Sequence, residues 1–317
     1  MQDDASGLHQ LAVRLGPALF RRRLHRQANL VASLAHQAEG PLAVERFMPV
    51  DRILESCLGL VGLRERGRAN CLDVRIVTRD QPVPGLPAAF DGFRLLQLTD
   101  LHLDLVPGFA DVVIDRIRRT PHDLAVITGD FADHPAGYFH DCLGDIQRIA
   151  AELGSGILAV LGNHDIIEIV PHLEAAGIRV LLNENTCLEK AGERLWIAGI
   201  DDPHFYRTHD LEAVRRGIPP GACTILLSHS PETYAHASRG GFGFMLSGHT
   251  HGGQICLPGG IALVRNGRCP PAMFVGAWSH HGMRGYTSRG TGSCGAAARF
   301  NCPPEITLHV LRPEHGT

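Results

Sequence analysis

The stretch Leu246-Ser247-Gly248-His249-Thr250-His251-Gly252-Gly253-Gln254 closes a short apolar run that begins at Phe242. Glycine on both sides of the histidines lets the backbone turn sharply and approach other groups closely. In an extended segment side chains alternate with a period of two, so His249 and His251 would face the same side. Neutral imidazole is the commonest protein metal ligand. An isolated pair of this kind is more often a polar turn than a metal site, so the other segments of the chain must decide.

Four more predicted strands are followed by side chains that can bind a metal. Phe93–Thr99 leads to Asp100 and His102, Leu124–Thr128 to Asp130, Ile157–Leu161 to Asn163, and Thr224–Ser228 to His229. In open α/β sheets ligands bind at the carboxyl ends of the strands, so we expect these side chains to meet at one edge. Taken singly, each could be an ordinary cap or turn residue. Taken together with the two histidines, they predict a metal site.

The predicted ligand set mixes oxygen and nitrogen donors, which suits Mn, Fe or Zn better than Mg or Ca. The seven residues exceed the needs of one ion, but they suffice for two if a carboxylate bridges. Two divalent ions about 3.5–4 Å apart can stabilise the entering and leaving oxygens of an in-line displacement. A phosphate ester is therefore the expected substrate, and no protein nucleophile is required.

The motifs Asp100-x-His102, Gly129-Asp130, Gly162-Asn163-His164-Asp165, Ser228-His229 and Gly248-His249-Thr250-His251 occur in this order. Over about residues 90–317 the chain thereby resembles the calcineurin-like metallophosphoesterase family. The stretches 246–254, 287–290, 299–300 and 304–306 further resemble a bacterial branch of that family. This branch contains the YaeI- and YkuE-type phosphodiesterases and a UDP-2,3-diacylglucosamine hydrolase of lipid A synthesis.

The resemblance implies an α/β sandwich of two sheets flanked by helices, around a centre of two divalent metal ions. One ion would be held by Asp100, His102, Asp130 and His251, and the other by Asp130, Asn163, His229 and His249. A hydroxide bridging the ions would attack phosphorus. His164 would face the scissile phosphate as a catalytic residue, and Asp165 would orient it by accepting its other ring N–H. Asp133 is expected to lie behind the site or at the surface.

Short apolar runs separated by helical patterns predict an α/β fold with partly parallel sheets. Besides the five strands above, which include 242–247, the patterns predict strands at 178–182, 195–200, 273–277 and 306–311. They predict helices at 110–119, 139–153, 168–176, 211–216 and 231–238. Residues 80–92 carry three prolines and two glycines, which indicates a linker or surface loop. We expect a catalytic domain at 71–317, preceded by a helical N-terminal extension at 1–70.

The N-terminal extension is basic, with ten arginines and no lysine against seven acidic residues. Leu8, Leu11, Leu15 and Leu19 recur at helical spacing among arginines, and 47–61 carries a second helical pattern with Pro49 in its first turn. A basic amphipathic helix can lie on an anionic membrane, so residues 8–36 are one candidate for peripheral membrane contact. The alternative is a helix that packs its apolar stripe on the catalytic domain.

Composition and the cysteine pattern favour an intracellular globular protein. The chain has 317 residues, a formal net charge of −3, 44% hydrophobic residues and nineteen histidines. Nine scattered cysteines without C-x-x-C spacing indicate free thiols in a reducing compartment. The sequence shows no signal-peptide pattern and no long apolar span, so we expect a cytoplasmic protein, peripheral at the inner membrane surface if the N-terminal helix binds lipid.

The predicted function is hydrolysis of phosphodiester or pyrophosphate bonds, with a lipid-linked nucleotide such as UDP-2,3-diacylglucosamine as a candidate substrate. The alternatives are a nuclease or broad-specificity phosphodiesterase of the same fold, and a non-catalytic scaffold. A net acidic segment 71–317 does not favour nucleic acid as a partner. Arg289 could pair with a phosphate oxygen or brace the backbone, and His204 is expected at the surface or in a lid.

Overall fold

A computed structural model describes residues 2–39, 49–134 and 138–314 of the chain. The α-helices are α1 Gln2–Leu15, α2 Pro17–Glu39, α3 Pro49–Leu60, α4 Arg64–Cys71, α5 Phe109–Arg118, α6 Leu143–Leu153, α7 Val170–Ala175 and α8 Tyr234–Arg239. The strands are β1 Arg75–Val83, β2 Arg94–Leu98, β3 Leu124–Ile127, β4 Ile157–Ala159, β5 Ile178–Val180, β6 Glu184–Lys190, β7 Glu193–Gly199, β8 Thr224–Leu227, β9 Phe244–Ser247, β10 Cys256–Leu257, β11 Ile261–Ala262, β12 Gly276–His280, β13 Met283–Thr287 and β14 Glu305–Pro313. Short 3₁₀ turns lie at Ala88–Phe90, Tyr138–Cys142, Ile167–Ile169, Ala213–Arg215, Pro231–Thr233, His251–Gly253 and Pro271–Met273.

The strands form two six-stranded sheets and one small hairpin. The first sheet has the order β1-β14-β2-β3-β4-β5, and the second has the order β12-β13-β9-β8-β7-β6. Strands β2 to β5 run parallel, as do β7, β8, β9 and β13. The hairpin joins β10 to β11. The predicted α/β sandwich of two sheets with flanking helices and a helical N-terminus is confirmed.

An inner hydrophobic core lies between the two sheets. Side chains alternate across a strand, so Leu95 of β2 enters this inner core while its neighbour Leu96 packs on the helical side. On β8, Ile225 points into the same inner core. The outer face of the first sheet is covered by α1, α5, α6 and α7, and that of the second by α8 and nearby turns. Every strand that carries a predicted ligand is thus buried on both faces, which fixes its end in space.

The N-terminal helices pack on the catalytic part of the chain. Leu11 and Leu15 are buried in the core beneath the first sheet. Arg14 of α1 bonds to Glu174, Glu184 and the Val180 carbonyl at 2.6–2.9 Å. The apolar stripe up to this point therefore has a protein partner, whereas the side chains of 30–36 lie outside the described residues. The division of the chain at residue 70 stays a prediction.

No helix among the described residues combines the length and apolar character needed to cross a bilayer.

The predicted loop at 80–92 is wrong in its first part, because Arg75–Val83 forms β1. This strand pairs with β14, more than two hundred residues later in the chain. Pro82 is tolerated because β1 is the edge of its sheet, where a missing N–H breaks no ladder to a further strand. The turn that follows contains the short 3₁₀ segment Ala88–Phe90.

Two other predicted elements differ in the structure. The predicted strand 273–277 is not continuous. Met273 ends the turn Pro271–Met273, and β12 begins only at Gly276, whose φ is 80°. The segment 211–216 forms only the 3₁₀ turn Ala213–Arg215. The carbonyls of Val214 and Arg216 accept from the side-chain amide of Asn185, and the helix does not continue. The polar strand β6, which has no apolar run, was not predicted.

A buried histidine between the sheets makes stability depend on pH. His309 of β14 is fully buried, and its Nε2 bonds to the amide oxygen of Gln97 at 3.1 Å. Burial, with Arg79 nearby, lowers the pKa of His309 to about 3. The unfolded chain, with an ordinary histidine pKa of about 6.5, therefore binds this proton more readily than the folded chain as pH falls through that window.

We expect His309→Gln to flatten the loss of stability between about pH 6.5 and pH 4, by up to ~1.4 kcal/mol per pH unit. The free energy of unfolding, measured with urea across this range, provides the readout. His9→Gln, which changes an exposed histidine of α1, is the matched control and should keep the wild-type slope. An unchanged slope in His309→Gln would contradict the assignment.

Candidate metal centre

The turns after β2 and β3 are tied together by backbone hydrogen bonds. The Asp100 amide donates to the Gly129 carbonyl at 2.9 Å, and the His102 amide donates to the Asp130 carbonyl at 3.2 Å. The two parallel strands are paired up to these turns. Asp100, His102 and Asp130 are consequently delivered to one place by the sheet itself.

Much of the centre rests on left-handed backbone. The described part of the chain contains eleven non-glycine residues with positive φ. Five of them are predicted metal ligands, namely Asp100, His102, Asp130, His249 and His251, with φ between 42° and 69°. Such conformations are unfavourable for L-residues and are concentrated at functional sites, where the surrounding structure holds them.

Two motif glycines make room for the carboxylates. A Cβ on Gly248 would lie 2.2 Å from Oδ2 of Asp100, and a Cβ on Gly162 would lie 2.1 Å from Oδ1 of Asp130. Both distances are far below van der Waals contact, so only glycine fits at these positions. The glycines next to the ligands are therefore required by the close approach of the chain segments, in addition to their role in the turns.

All seven predicted ligands converge at the carboxyl edge of the two sheets. Asp130 Oδ2 lies 3.2 Å from Nε2 of His229 and 3.7 Å from Nε2 of His102. His251 Nε2 is 3.3 Å from Asp100 Oδ1, and Asn163 Oδ1 is 3.0 Å from His229 Nε2. The His249 ring lies beside that of His229, with 5.1 Å between centroids. Asp130 thus stands between side chains of both predicted ligand sets, where a bridging ligand belongs.

Unpaired ring nitrogens indicate what the centre is built to hold. Nε2 of His102 and Nε2 of His249 are buried and have no hydrogen-bond partner among the described residues. A buried polar atom without a partner costs roughly 1–3 kcal/mol, so each such group needs an explanation. Asp100, His102 and His251 could share one ion, as could Asp100, Asp130 and His229. The donor set therefore fits divalent cations bound by nitrogen and oxygen.

The two histidines of the second predicted ligand set, His229 and His249, have pKa values shifted in opposite directions. Burial lowers the pKa of His229, but Asp130 outweighs it and raises that pKa to about 10. Burial, together with the nearby His229, holds the pKa of His249 well below its usual value, so this imidazole is neutral. A cation that binds His229 must displace the proton shared with Asp130, and metal binding should therefore release protons.

His164 lies at the rim of this centre in a defined tautomer. Its Nδ1 is 2.5 Å from the Asp133 carbonyl, which can only accept, so Nδ1 carries the proton and donates. Its Nε2 is then the atom that can exchange a proton, and it lies 3.6 Å from Sγ of Cys294. Burial lowers the pKa of His164, but Cys294 and Asp130 outweigh it and hold that pKa well above the usual value.

The predicted contact between Asp165 and His164 is wrong. The carboxylate of Asp165 accepts from the amides of Asp130, Phe131 and Gly162 at 2.8–2.9 Å. Both of its oxygens accept from these three donors, so Asp165 joins the turns after β3 and β4. It positions Asp130 and Asn163 through the backbone, and the Asp133 carbonyl takes the place expected for it at His164.

Side chains outside the predicted ligand set also lie next to the centre. The carboxylate of Asp133 is buried 3.2 Å from Nδ1 of His102, which agrees with the expectation that it lies behind the site. His204 is partly exposed and lies against the His249 ring, with 4.1 Å between centroids, and its Nδ1 bonds to Glu232 at 2.8 Å. No motif in the sequence placed His204 and Glu232 beside the predicted ligands. Arg289 pairs with Glu305 at 3.3 Å, which agrees with the bracing alternative.

Comparison with known proteins identifies the family. The family model described as calcineurin-like phosphoesterase matches residues 93–253. Among curated relatives, the metallophosphoesterases YkoQ and YkuE of Bacillus subtilis are 30% and 31% identical. Their alignments cover 78% and 72% of this chain, and 93% and 82% of the relatives.

Phosphodiesterase YaeI of Escherichia coli is 29% identical over 69% of this chain and 82% of its own length. The predicted resemblance, including its bacterial branch, is confirmed by these relatives. The chain belongs to the calcineurin-like phosphoesterase family and is a metal-dependent phosphoesterase.

Proposed function

We propose that this protein hydrolyses phosphodiester or pyrophosphate bonds with the help of two divalent metal ions, Mn, Fe or Zn. The observation that carries the proposal is the placement of Asp130 between His102 and His229. Beside them, the buried Nε2 atoms of His102 and His249 have no hydrogen-bond partner among the described residues. One ion would be held by Asp100, His102, Asp130 and His251, and the other by Asp130, Asn163, His229 and His249. When bound, such ions activate a water and neutralise charge on the phosphate.

The side chains of the chain itself have separate tasks in this proposal. His164 supplies a proton through Nε2 to the leaving oxygen, since its Nδ1 is committed to the Asp133 carbonyl. Asp165 keeps the turns that carry Asp130 and Asn163 at a fixed separation. The burial of Asp100, Asp130 and His229 keeps bulk water away from their charges, which strengthens electrostatic interaction with a phosphate.

For the substrate, we propose a lipid-linked nucleotide of the UDP-2,3-diacylglucosamine type, handled by a cytoplasmic protein at the membrane surface. This substrate class rests on the resemblance to a bacterial branch that includes a UDP-2,3-diacylglucosamine hydrolase. The name of YaeI, a phosphodiesterase, supports cleavage of a diester.

The function is tested by metal analysis of the purified protein together with a substrate panel. After loading with manganese, iron or zinc, we expect about two ions per chain. A free ion concentration a hundredfold above its Kd should raise the free energy of unfolding by ~2.7 kcal/mol for each ion bound. Diesters and nucleotide-diphosphate lipids should be cleaved faster than monoesters.

Asp130→Asn should lose both ions at once, because the proposal makes this carboxylate their bridge. Asp104→Asn is the matched control: Asp104 accepts from the amides of Asp133 and His134 and contacts the His134 ring, and it is not a predicted ligand. It should keep wild-type metal content. A wild-type protein that binds none of the three metals would overturn the proposal.

A further inference from the structure

An exposed apolar hairpin projects next to the metal centre. In the described chain, seven large hydrophobic side chains are strongly exposed, and four of them fall within 257–264. They are Leu257, Ile261, Leu263 and Val264, with 48–68% of their surface exposed. Single exposed hydrophobic residues are ordinary, but a cluster of them marks an interaction surface. We call the segment 256–268 the apolar hairpin.

The apolar hairpin stands outside both sheets. Its strands β10 and β11 pair only with each other, so that Leu257 faces Ile261 across a turn of Pro258 and two glycines. Its base is anchored by a bond from the Cys256 amide to the Phe300 carbonyl at 2.9 Å. The turn at the tip is therefore held by a fixed base, and its apolar side chains are free to insert into an apolar environment.

Charge around the apolar hairpin indicates the nature of that environment. Of the six arginines between Glu232 and Glu305, Arg299 is buried, and Arg284 and Arg289 pair with Glu314 and Glu305. Arg265 and Arg268, at the end of the apolar hairpin, are both exposed. An apolar tip rimmed by arginines complements an anionic lipid surface, where the acyl region takes the tip and the headgroups take the cations.

The small area of the tip also favours lipid over a protein partner. A stable protein interface buries about 800 Å² on each partner, which is more than four partly exposed side chains can supply. Shallow insertion into a bilayer needs no such area, because a few apolar side chains and nearby cations act together. The other large exposed hydrophobic side chains of the described chain, Val13, Leu60 and Val61, lie on the N-terminal helices or directly after one, and not on a separate hairpin.

The apolar hairpin packs against residues next to the metal centre. A Cβ on Gly253, two residues after His251, would lie 2.4 Å from the Ala262 side chain. The Arg268 amide donates to Glu232, whose carboxylate pairs with His204 beside His249. A surface that binds the tip therefore lies close to the catalytic centre.

We propose that the apolar hairpin docks this protein on an anionic lipid surface and so presents the metal centre to phosphate esters at the headgroup level. The docking does not depend on hydrolysis, and it uses a different surface from the N-terminal helices.

Sedimentation of the full chain with vesicles tests this proposal. We expect binding to an equimolar mixture of phosphatidylglycerol and phosphatidylcholine, weaker binding at high salt, and little binding to phosphatidylcholine alone. The triple variant Ile261→Ser, Leu263→Ser, Val264→Ser should reduce partitioning by at least about tenfold. Arg265→Gln alone should reduce it by about fivefold.

The control is the pair Val13→Ser, Leu60→Ser, which removes exposed hydrophobic residues from the N-terminal helices and should leave vesicle binding unchanged. Turnover of a water-soluble diester should be equal in wild type and the triple variant, which separates failure of docking from failure of hydrolysis. Loss of binding in the N-terminal pair but not in the triple variant would overturn the proposal. A triple variant that instead dissociates an oligomer of the chain would overturn it as well.

Discussion

Replacing His164 by alanine is expected to lower turnover by about 10²–10⁴-fold, the usual contribution of a positioned general acid. Metal content should stay at the wild-type level, because His164 is outside the proposed ligand sets. The ring is held through Nδ1 by the Asp133 carbonyl and presents Nε2 at the rim of the centre. Steady-state kinetics and metal analysis on the same preparation provide the measurement.

The leaving group offers a sharper test of the same role. A nitrophenolate leaves without help from an acid, whereas an alkoxide needs a proton as the bond to phosphorus breaks. His164→Ala should therefore be much more damaging with an alkyl diester than with a bis-nitrophenyl diester. An equal loss on both substrates would indicate that His164 stabilises charge on the phosphate instead.

His140→Ala serves as the matched control, because it removes an exposed imidazole that stacks on Phe139 away from the centre. Its kinetics should be those of the wild type. If His164→Ala also turns over at the wild-type rate, the role assigned to His164 is excluded.

The centre was predictable from sequence because its residues follow short strands buried on both faces. Such strands appear as continuous apolar runs, and their carboxyl ends coincide with the motifs at Asp100, Asp130, Asn163, His229 and His249. Parallel pairing then places those ends at one edge without any knowledge of the loops. The predicted strands β2, β3, β4, β8 and β9 are all present in the structure.

What escaped prediction depends on contacts between distant segments. Strand β1 contains Pro82 and reads as a loop, because its partner β14 is at the other end of the chain. Asp165 follows the imidazole of His164 in sequence, yet three amides from two different turns converge on its carboxylate. Residue type and spacing indicate which groups can bind a metal, whereas the supporting contacts follow from the folded backbone.

The N-terminal helix α2 contributes a second interaction with a large expected effect. Arg23 is fully buried and forms an ion pair with Asp201, which is also fully buried. The guanidinium donates to the Asp165 carbonyl at 2.7 Å and lies 4.0 Å above the Tyr206 ring. A residue of the N-terminal helix is thus bonded to the loop that carries His164.

Arg23→Met is therefore expected to lower the free energy of unfolding by ~3–5 kcal/mol, since the Asp201 carboxylate would be left buried without its partner. Urea denaturation of the full chain measures this loss. Restoring neutrality with Arg23→Met, Asp201→Asn should recover part of it, because the uncompensated charge is then absent. Turnover of Arg23→Met should also fall at unchanged metal content, as the Asp165 carbonyl loses its donor.

Arg22→Met is the matched control, because Arg22 is the preceding residue on α2, is exposed, and makes one long bond of 3.5 Å to the Arg207 carbonyl. It should change stability by no more than about 0.5 kcal/mol. The comparison separates loss of a buried ion pair from loss of positive charge on the helix. Equal denaturation midpoints for Arg22→Met and Arg23→Met would show that α2 contributes only surface charge, and its link to the catalytic loop would then have no energetic weight.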